Sequence, residues 1–356
     1  MASANANLHK AKDAKNDEFY TQLTDVSKEL MHYKQHFKDK IVLCNCDDPT
    51  WSAFWKYFHL NFAELGLKKL ISTHYDREEA TYKMEYSGGD DNDIEVGVKI
   101  PLKGNGDFRN QECLDLIDEA DIVVTNPPFS LFREYVAVLM EHEKKFIIWS
   151  NNNSITYKEF FPLLKNNEVW LGYTANKTLV FRIPDSYAKW DEKETLKMND
   201  GYHYAKVPAI SVFTNLDVAK RHEKLILWKN YTPEEYPKYD NYDAINVDKV
   251  SEIPVDYDGV MGVPITFLDK YNPEQFEILG LTTGREEFDK LAYPTKKYIN
   301  AIQHNKDGSI VNGSKINTRA TLHSNENNNT YYTADNVKGN LIIVYARILI
   351  RKKVGV

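Results

Sequence analysis

Short apolar runs alternate with amphipathic stretches through the first half of the chain. Ile41-Val42-Leu43-Cys44, residues 69–72, Ile122-Val123-Val124 and residues 146–149 are bounded by polar or turn-forming positions. Runs this short have the length of buried strands rather than buried helices. Between them, Leu30, Tyr33 and Phe37 recur at spacings of three and four, predicting a helix over 25–38 capped by Thr24. Phe54, Tyr57, Phe58 and Phe62 predict a second helix over 50–64. Phe132, Tyr135, Val136 and Leu139 predict a third, opened by Ser130. Residues 82–86 and 94–100 flank a Ser-Gly-Gly-Asp-Asp turn and read as a hairpin. Strands alternating with amphipathic helices specify an α/β protein, with a mostly parallel sheet and helices on both faces. Such sheets bind ligands at the carboxyl ends of their strands, which directs attention to residues 45–49, 74–76 and 126–129.

The pattern changes after about residue 175. Pro233, Tyr236, Pro237, Tyr239 and Tyr242 crowd together, and strand-like runs at 210–213 and 224–228 stand between turn-rich spacers. The 356 residues allow two domains, or one with a large insertion. Apolar residues at 42% suffice for a real core and exclude wholesale disorder. No apolar run approaches the roughly 20 residues that cross a bilayer, and the first twenty residues lack the apolar segment of a secretion signal. Three cysteines do not staple a chain this long, so the expected compartment is the reducing cytoplasm. Net charge is −7, but residues 296–356 hold ten Lys/Arg against three acids. A basic end on an acidic body fits either a polyanion-binding face or a solvated tail.

Asn126-Pro127-Pro128-Phe129 is the most specific feature. It ends an apolar strand and precedes a helix. Two prolines fix φ and remove two donors, giving a rigid, extended turn that presents a carboxamide, a carbonyl and an aromatic face. Those groups suit a planar ring with an exocyclic amine: two acceptors take the amine protons, and Phe129 stacks on the ring. A plain strand-to-helix turn is the alternative for this segment. Nucleotide-phosphate chemistry is disfavoured, because neither Gly-x-Gly-x-x-Gly after the first strand nor a P-loop occurs. Cys44 and Cys46 have no second pair for zinc, so no metal is expected.

Asn126-Pro127-Pro128-Phe129 resembles the catalytic motif of amino-group methyltransferases that use S-adenosylmethionine. The wider chain resembles the EcoRI-type adenine-specific DNA methyltransferase family through residues 15–22, 42–49, 62–71 and 261–271. The resemblance implies a Rossmann-like class I methyltransferase sheet with helices on both faces, plus an irregular β-rich C-terminal region. Residues 1–175 would form the S-adenosylmethionine-binding and catalytic core, and 176–356 the remaining sheet and target-recognition region. It implies methyl transfer to N6 of a flipped adenine in double-stranded DNA. Asn126, Pro127, Pro128 and Phe129 would be catalytic. Phe19, Tyr20, Thr21, Asn45, Asp47, Asp48, Pro49, Asp76, Asp107 and Phe108 would hold the cofactor. The aromatic-x-Gly-x-Gly loop common to methyltransferases is replaced by Cys44-Asn45-Cys46-Asp47-Asp48-Pro49. Asn312, Lys315, Asn317, Arg319 and the Asn-rich residues 325–329 are candidate base readers. Arg347, Arg351 and Lys352 suit phosphates. A cognate restriction endonuclease is a partner in a paired system, and a solitary methylase would read the same. RNA adenine or protein glutamine as substrate, and a non-catalytic DNA-binding subunit, are the competing readings.

Overall fold

The computed structural model describes residues 20–76, 80–183, 195–197, 201–283, 290–324 and 330–353. Phe19 and the Asn-rich residues 325–329 lie outside them. The chain divides into two compact units: Met1–Leu164 with Glu168–Val218, and Lys165–Asn167 with Ala219–Val356.

Helix α1 (Leu23–Leu30) starts one residue before Thr24, because Gln22 already holds the extended conformation of an N-cap. A 3-10 turn at Met31–Tyr33 leads into α2 (Lys34–Phe37), so the expected single helix is broken. Its inward face is nonetheless as the periodicity requires, with Leu30, Tyr33 and Phe37 fully buried. Next come β1 (Ile41–Cys44), α3 (Ala53–Leu60), α4 (Phe62–Leu65) and β2 (Lys69–Thr73). The Ser52 hydroxyl caps α3 by accepting from the Phe54 and Trp55 amides at 3.1 Å. β3 (Tyr82–Tyr86) and β4 (Val98–Pro101) pair antiparallel as expected, but the second strand begins at Val98 rather than Ile94, so the connection is longer than the Ser-Gly-Gly-Asp-Asp turn. Then follow α5 (Gln111–Glu119), β5 (Ile122–Thr125), α6 (Phe132–Glu141), β6 (Lys145–Asn151) and α7 (Phe161–Lys165). The N-cap of α6 is Leu131 rather than Ser130. The first unit closes with β7 (Trp170–Leu171), β8 (Lys177–Ile183), β9 (Thr195–Lys197) and β10 (His203–Thr214).

These strands form one mixed sheet in the order β4-β3-β2-β1-β5-β6-β10-β7, with β8 and β9 also on β10. Its centre, β2-β1-β5-β6, is parallel. Both faces are buried, which explains why these strands read as continuous apolar runs rather than alternating ones. Val42, Val124, Ile147, Trp149 and Val212 pack on one face with Leu30, Phe37, Phe54 and Phe58. On the other, Phe213 meets Phe132 of α6 and Phe160 at ring-centre separations of 5.9 and 5.0 Å.

The second unit holds two further sheets. One orders β11 (Ile245–Asn246), β12 (Met261–Pro264), β19 (Arg347–Lys352) and β13 (Phe276–Leu281) as β11-β12-β19-β13. The other orders β14 (Ile302–His304), β15 (Ile310–Asn312), β16 (Thr321–Ser324), β17 (Tyr331–Ala334) and β18 (Val337–Ile343) as β15-β14-β17-β18-β16. Residues 224–228 are not a strand: Leu225 bonds reciprocally to the Gln275 side chain, at 2.8 Å each way, instead of to a neighbouring strand. Among the described residues no helix is long and apolar enough to cross a membrane.

Glu29 of α1 is fully buried and ties this helix to the segment after β7. Its carboxylate accepts from the Tyr33 hydroxyl at 2.7 Å, the Tyr173 amide at 2.9 Å and the Thr174 amide. A side chain on Gly172 would collide with it. Glu29→Ala leaves two backbone amides and one hydroxyl without their acceptor. Urea unfolding should therefore register a loss on the order of 3 kcal/mol. A loss below about 1 kcal/mol would mean that water serves these donors equally well.

Candidate functional site

The parallel register brings three strand ends level. Cys44 of β1 pairs with Ser72 of β2, and Leu43 with Val123 of β5. The residue that follows each strand end is therefore polar and aimed at the same rim. Asn45 is buried, and its side-chain oxygen accepts from the Thr73 hydroxyl at 2.8 Å. The Thr73 hydroxyl also accepts from the Cys46 amide at 2.9 Å. Across the other edge of β1, the Thr125 hydroxyl lies 2.8 Å from the Asn45 carbonyl and 2.9 Å from the Asp47 carboxyl. Ser72 donates to the Asp47 carbonyl. These bonds hold residues 45–47 in a fixed loop despite the lack of glycine. Cys46 takes the left-handed conformation instead, at φ +58°.

Asp47 and Asp48 are adjacent but differently placed. Burial pushes the Asp47 carboxyl up to about 7, against the lowering effect of the Thr125 and Ser52 hydroxyls. Asp48 opens the turn into α3. One of its oxygens accepts from the Thr50 amide (2.9 Å), the Thr50 hydroxyl and the Tyr82 hydroxyl (both 2.8 Å). Its other oxygen stands 3.6 Å from His74 Nε2. Asp48 therefore serves as a turn former, with an oxygen still directed at the rim.

Asp76 follows β2, is half-buried, and donates its amide to the Asn105 carbonyl at 3.1 Å. That bond lays the loop before α5 against the end of β2. Gly106 permits the approach: it sits at φ +75°, and a Cβ there would collide with the His74 carbonyl oxygen. Asp107 and Phe108 come next. Both Asp107 oxygens are held by the Arg109 guanidinium, at 2.9 and 2.7 Å, which keeps this carboxyl below its usual range. Phe108 is buried, edge-on to Tyr135 of α6 at 4.9 Å.

The proline turn follows β5. Asn126 is half-buried with its carboxamide oxygen shielded from solvent, and Pro127 is buried. The Pro128 carbonyl accepts the Leu131 amide at 2.9 Å, closing the turn into α6. Phe129 is half-buried and stands edge-on to Phe181 of β8 at 6.5 Å. Tyr20 is joined to Arg182 of β8 through paired backbone bonds of 3.0 and 3.1 Å, and its ring lies 4.0 Å from that of Trp51. Thr21 beside it is buried, and its hydroxyl has no hydrogen-bond partner among the described residues.

Asn45, Asp47, Asp48, Asp76, Asp107, Phe108 and Asn126 thus belong to the loops after β1, β2, β4 and β5, all strands of one sheet. The sequence reading missed Thr125, Tyr82, Tyr135 and Arg109. Thr125 and Arg109 adjoin singled-out residues. Tyr82 and Tyr135 carry no local signal of a place at this rim, since their contacts there arise only when hairpin and helix pack, although the periodicity already turns Tyr135 inward.

The candidate nucleic-acid residues lie in the second unit. Lys315 is exposed on a 3-10 turn, and Arg319 donates to the Thr318 carbonyl at 2.9 Å. Asn317 is committed to the Tyr298 backbone, accepting at 2.7 Å and donating at 3.2 Å. Arg347, Arg351 and Lys352 of β19 pair with Asp248 (3.6 Å), Glu277 (2.9 Å) and Asp258 (3.4 Å).

A sequence model of the family described as adenine-specific methyltransferase EcoRI matches residues 7–353. Over 319 residues the chain is 46% identical to the Type II methyltransferase M.EcoRI of Escherichia coli, spanning 85% of this chain and 98% of that protein. It is 39% identical over 324 residues to the Type II methyltransferase M.MpnI of Mycoplasma pneumoniae, spanning 90% and 98% respectively. No solved structure matches the chain. Agreement that runs through both units and nearly the full length of each relative concerns the whole protein rather than one motif: the chain belongs to the EcoRI family of adenine-specific methyltransferases.

Proposed function

We propose that the protein transfers a methyl group from S-adenosylmethionine to N6 of an adenine turned out of double-stranded DNA. The observation that carries this reading is the Asn126-Pro127-Pro128-Phe129 turn, set at the end of β5 beside the polar loop that follows β1. The Asn126 carboxamide oxygen and the Pro127 carbonyl each accept one proton of the exocyclic amine. Accepting both draws the nitrogen lone pair out of conjugation and aims it outward. An acceptor shielded from water meets no competing solvent when the amine enters. Phe129 stacks on the ring. No strong base is needed, because the amine becomes acidic only once alkylated, and the proton it sheds passes to water.

S-adenosylmethionine, when bound, supplies the electrophilic methyl carbon. The residues present fit that ligand. Thr21 offers a buried hydroxyl without a partner among the described residues, and Gly106 lets the loop carrying Asp107 and Phe108 lie directly on the end of β2. Tyr20, Thr21, Asn45, Asp47, Asp48 and Pro49 would hold the methionine end. Asp76 would take the ribose hydroxyls, and Asp107 with Phe108 the adenine. A Rossmann-like class I arrangement is supported by the reversal of strand order at β1, which has β2 on one side and β5 on the other, all three parallel. For the duplex, Lys315 is exposed, whereas Arg347, Arg351 and Lys352 would exchange carboxylates for phosphates, a smaller net gain at each. Turning the adenine out costs a few kcal/mol.

Labelled methyl donor offered separately to DNA, RNA and protein should mark DNA alone, as N6-methyladenine. Label in RNA or protein instead would overturn the substrate assignment. Asn126→Ala should lower the single-turnover rate at least 100-fold, on the scale of losing a transition-state hydrogen bond, and leave sinefungin affinity within about twofold. Unchanged turnover would remove the mechanism.

Asp47 generates a pH prediction. Its folded-state value, about 7, lies above the ordinary carboxylate range, so between roughly pH 4 and 7 the folded state holds a proton that the unfolded state has lost. Its contribution to stability is present at low pH and is lost as pH rises to 7. Asp47→Asn removes that slope. Relative to the parent, the variant should gain stability in urea unfolding between pH 5 and pH 8. Parallel pH profiles for the two proteins would contradict this.

A further inference from the structure

We propose that Arg109 is a positioning residue that aims Asp107 at the adenine of the cofactor and, through Glu134, fixes the cofactor loop to the helix carrying the catalytic turn. The inference rests on the reading of Asp107 given above and goes beyond it by assigning the residue that makes Asp107 selective.

Four contacts carry the argument. Arg109 Nε and Nη2 donate to the two Asp107 oxygens at 2.9 and 2.7 Å, a bidentate fork that fixes the carboxylate plane. The Arg109 amide adds a bond of 2.9 Å to the oxygen already bound by Nε. Each carboxylate oxygen accepts about two hydrogen bonds. One Asp107 oxygen is therefore filled, and the other keeps one acceptor site, in a direction that the fork dictates. The remaining guanidinium nitrogen, Nη1, donates to Glu134 of α6 at 2.9 Å.

Glu134 lies in the first turn of α6, three residues after Leu131, which closes the proline turn. The neighbouring position, Tyr135, makes the second tie between helix and loop, through its edge-on contact with Phe108. Consecutive residues of α6 thus grip consecutive residues of the cofactor loop. The Asp107 side chain is largely covered, whereas those of Arg109 and Glu134 are about half exposed. An ion pair exposed to this degree contributes little to stability, so its geometry is better explained by aim than by folding. A lysine could supply the charge but not the fork.

The test uses two ligands differing at one position, S-adenosylhomocysteine and S-inosylhomocysteine. The first presents an amine to Asp107 and the second a carbonyl, so the unaltered protein should favour the first by tenfold or more in calorimetry. Arg109→Ala should bring the two dissociation constants within about threefold, with its melting temperature close to the parent's. Arg109→Lys, which keeps the charge and secures the fold, should recover less than half of the lost discrimination on a logarithmic scale. A merely structural role would weaken both ligands alike, and preserved discrimination in Arg109→Ala would overturn the proposal. Asp107→Asn separates the layers: if it leaves discrimination intact, the reading of Asp107 itself fails. Glu134→Gln should retain discrimination while the single-turnover methylation rate, at saturating cofactor and DNA, falls severalfold. An unaltered rate would overturn the link to α6.

Discussion

The candidate site in the first unit depends on one constraint, the in-register parallel pairing of β1 with β2 and β5. A parallel sheet needs long crossovers, and this chain uses them to bring the ends of three distant segments to one rim. Side-chain hydroxyls then lock the rim together. Thr73 reaches Asn45 from β2, and Thr125 reaches Asn45 and Asp47 from β5. A one-residue slip of β5 would move Thr125 to the opposite face and carry Asn126 with it. The loop after β1 can therefore dispense with glycine. Its shape is imposed by neighbours on both sides, and only Cys46 adopts a left-handed φ.

What could be read from the sequence follows the same logic. The four central strands were legible because each is a short apolar run buried on both faces. The inward helix positions were legible because burial enforces a period near 3.6: Phe132, Tyr135, Val136 and Leu139 are the buried positions of α6. Helix starts were less so. Thr24 and Ser130 have the right chemistry for caps, but Gln22 and Leu131 precede the first helical residue. Neither Gln22 nor Leu131 makes a side-chain capping hydrogen bond, so the roughly 1 kcal/mol that a cap offers is not what sets these starts. The run at 224–228 has strand composition without a strand partner, which composition does not reveal. At the candidate site, residues next to strand ends were legible, whereas the contacts that Tyr82 and Tyr135 make there, delivered by hairpin and helix packing, were not.

Charge segregation along the chain proved a poor guide to charge in space. Of the ten cations in residues 296–356, Lys296, Arg347, Arg351 and Lys352 pair with Asp240, Asp248, Glu277 and Asp258, all upstream of that segment. The sequence separates these charges and the fold reunites them. Lysines 297, 306, 315 and 338 are exposed. A polyanion would meet this smaller set first, because a phosphate gains most where no carboxylate has to be displaced.

Asp47 shows how the rim accommodates a buried acid. The Thr125 hydroxyl has one proton and two acceptors within reach, the Asn45 carbonyl and the Asp47 carboxyl. If Asp47 is ionised, one of them goes without. If Asp47 is protonated, it donates to Thr125, Thr125 donates to Asn45, and both bonds are made. The Thr125 and Ser52 hydroxyls favour the carboxylate and burial favours the neutral acid; burial prevails, and the carboxyl is displaced to about 7. A cationic group arriving at the rim reverses the preference, because it stabilises the carboxylate directly and compensates for the lost bond. The rim is consequently most comfortable as a neutral surface when alone and as an anionic one when it faces a cation.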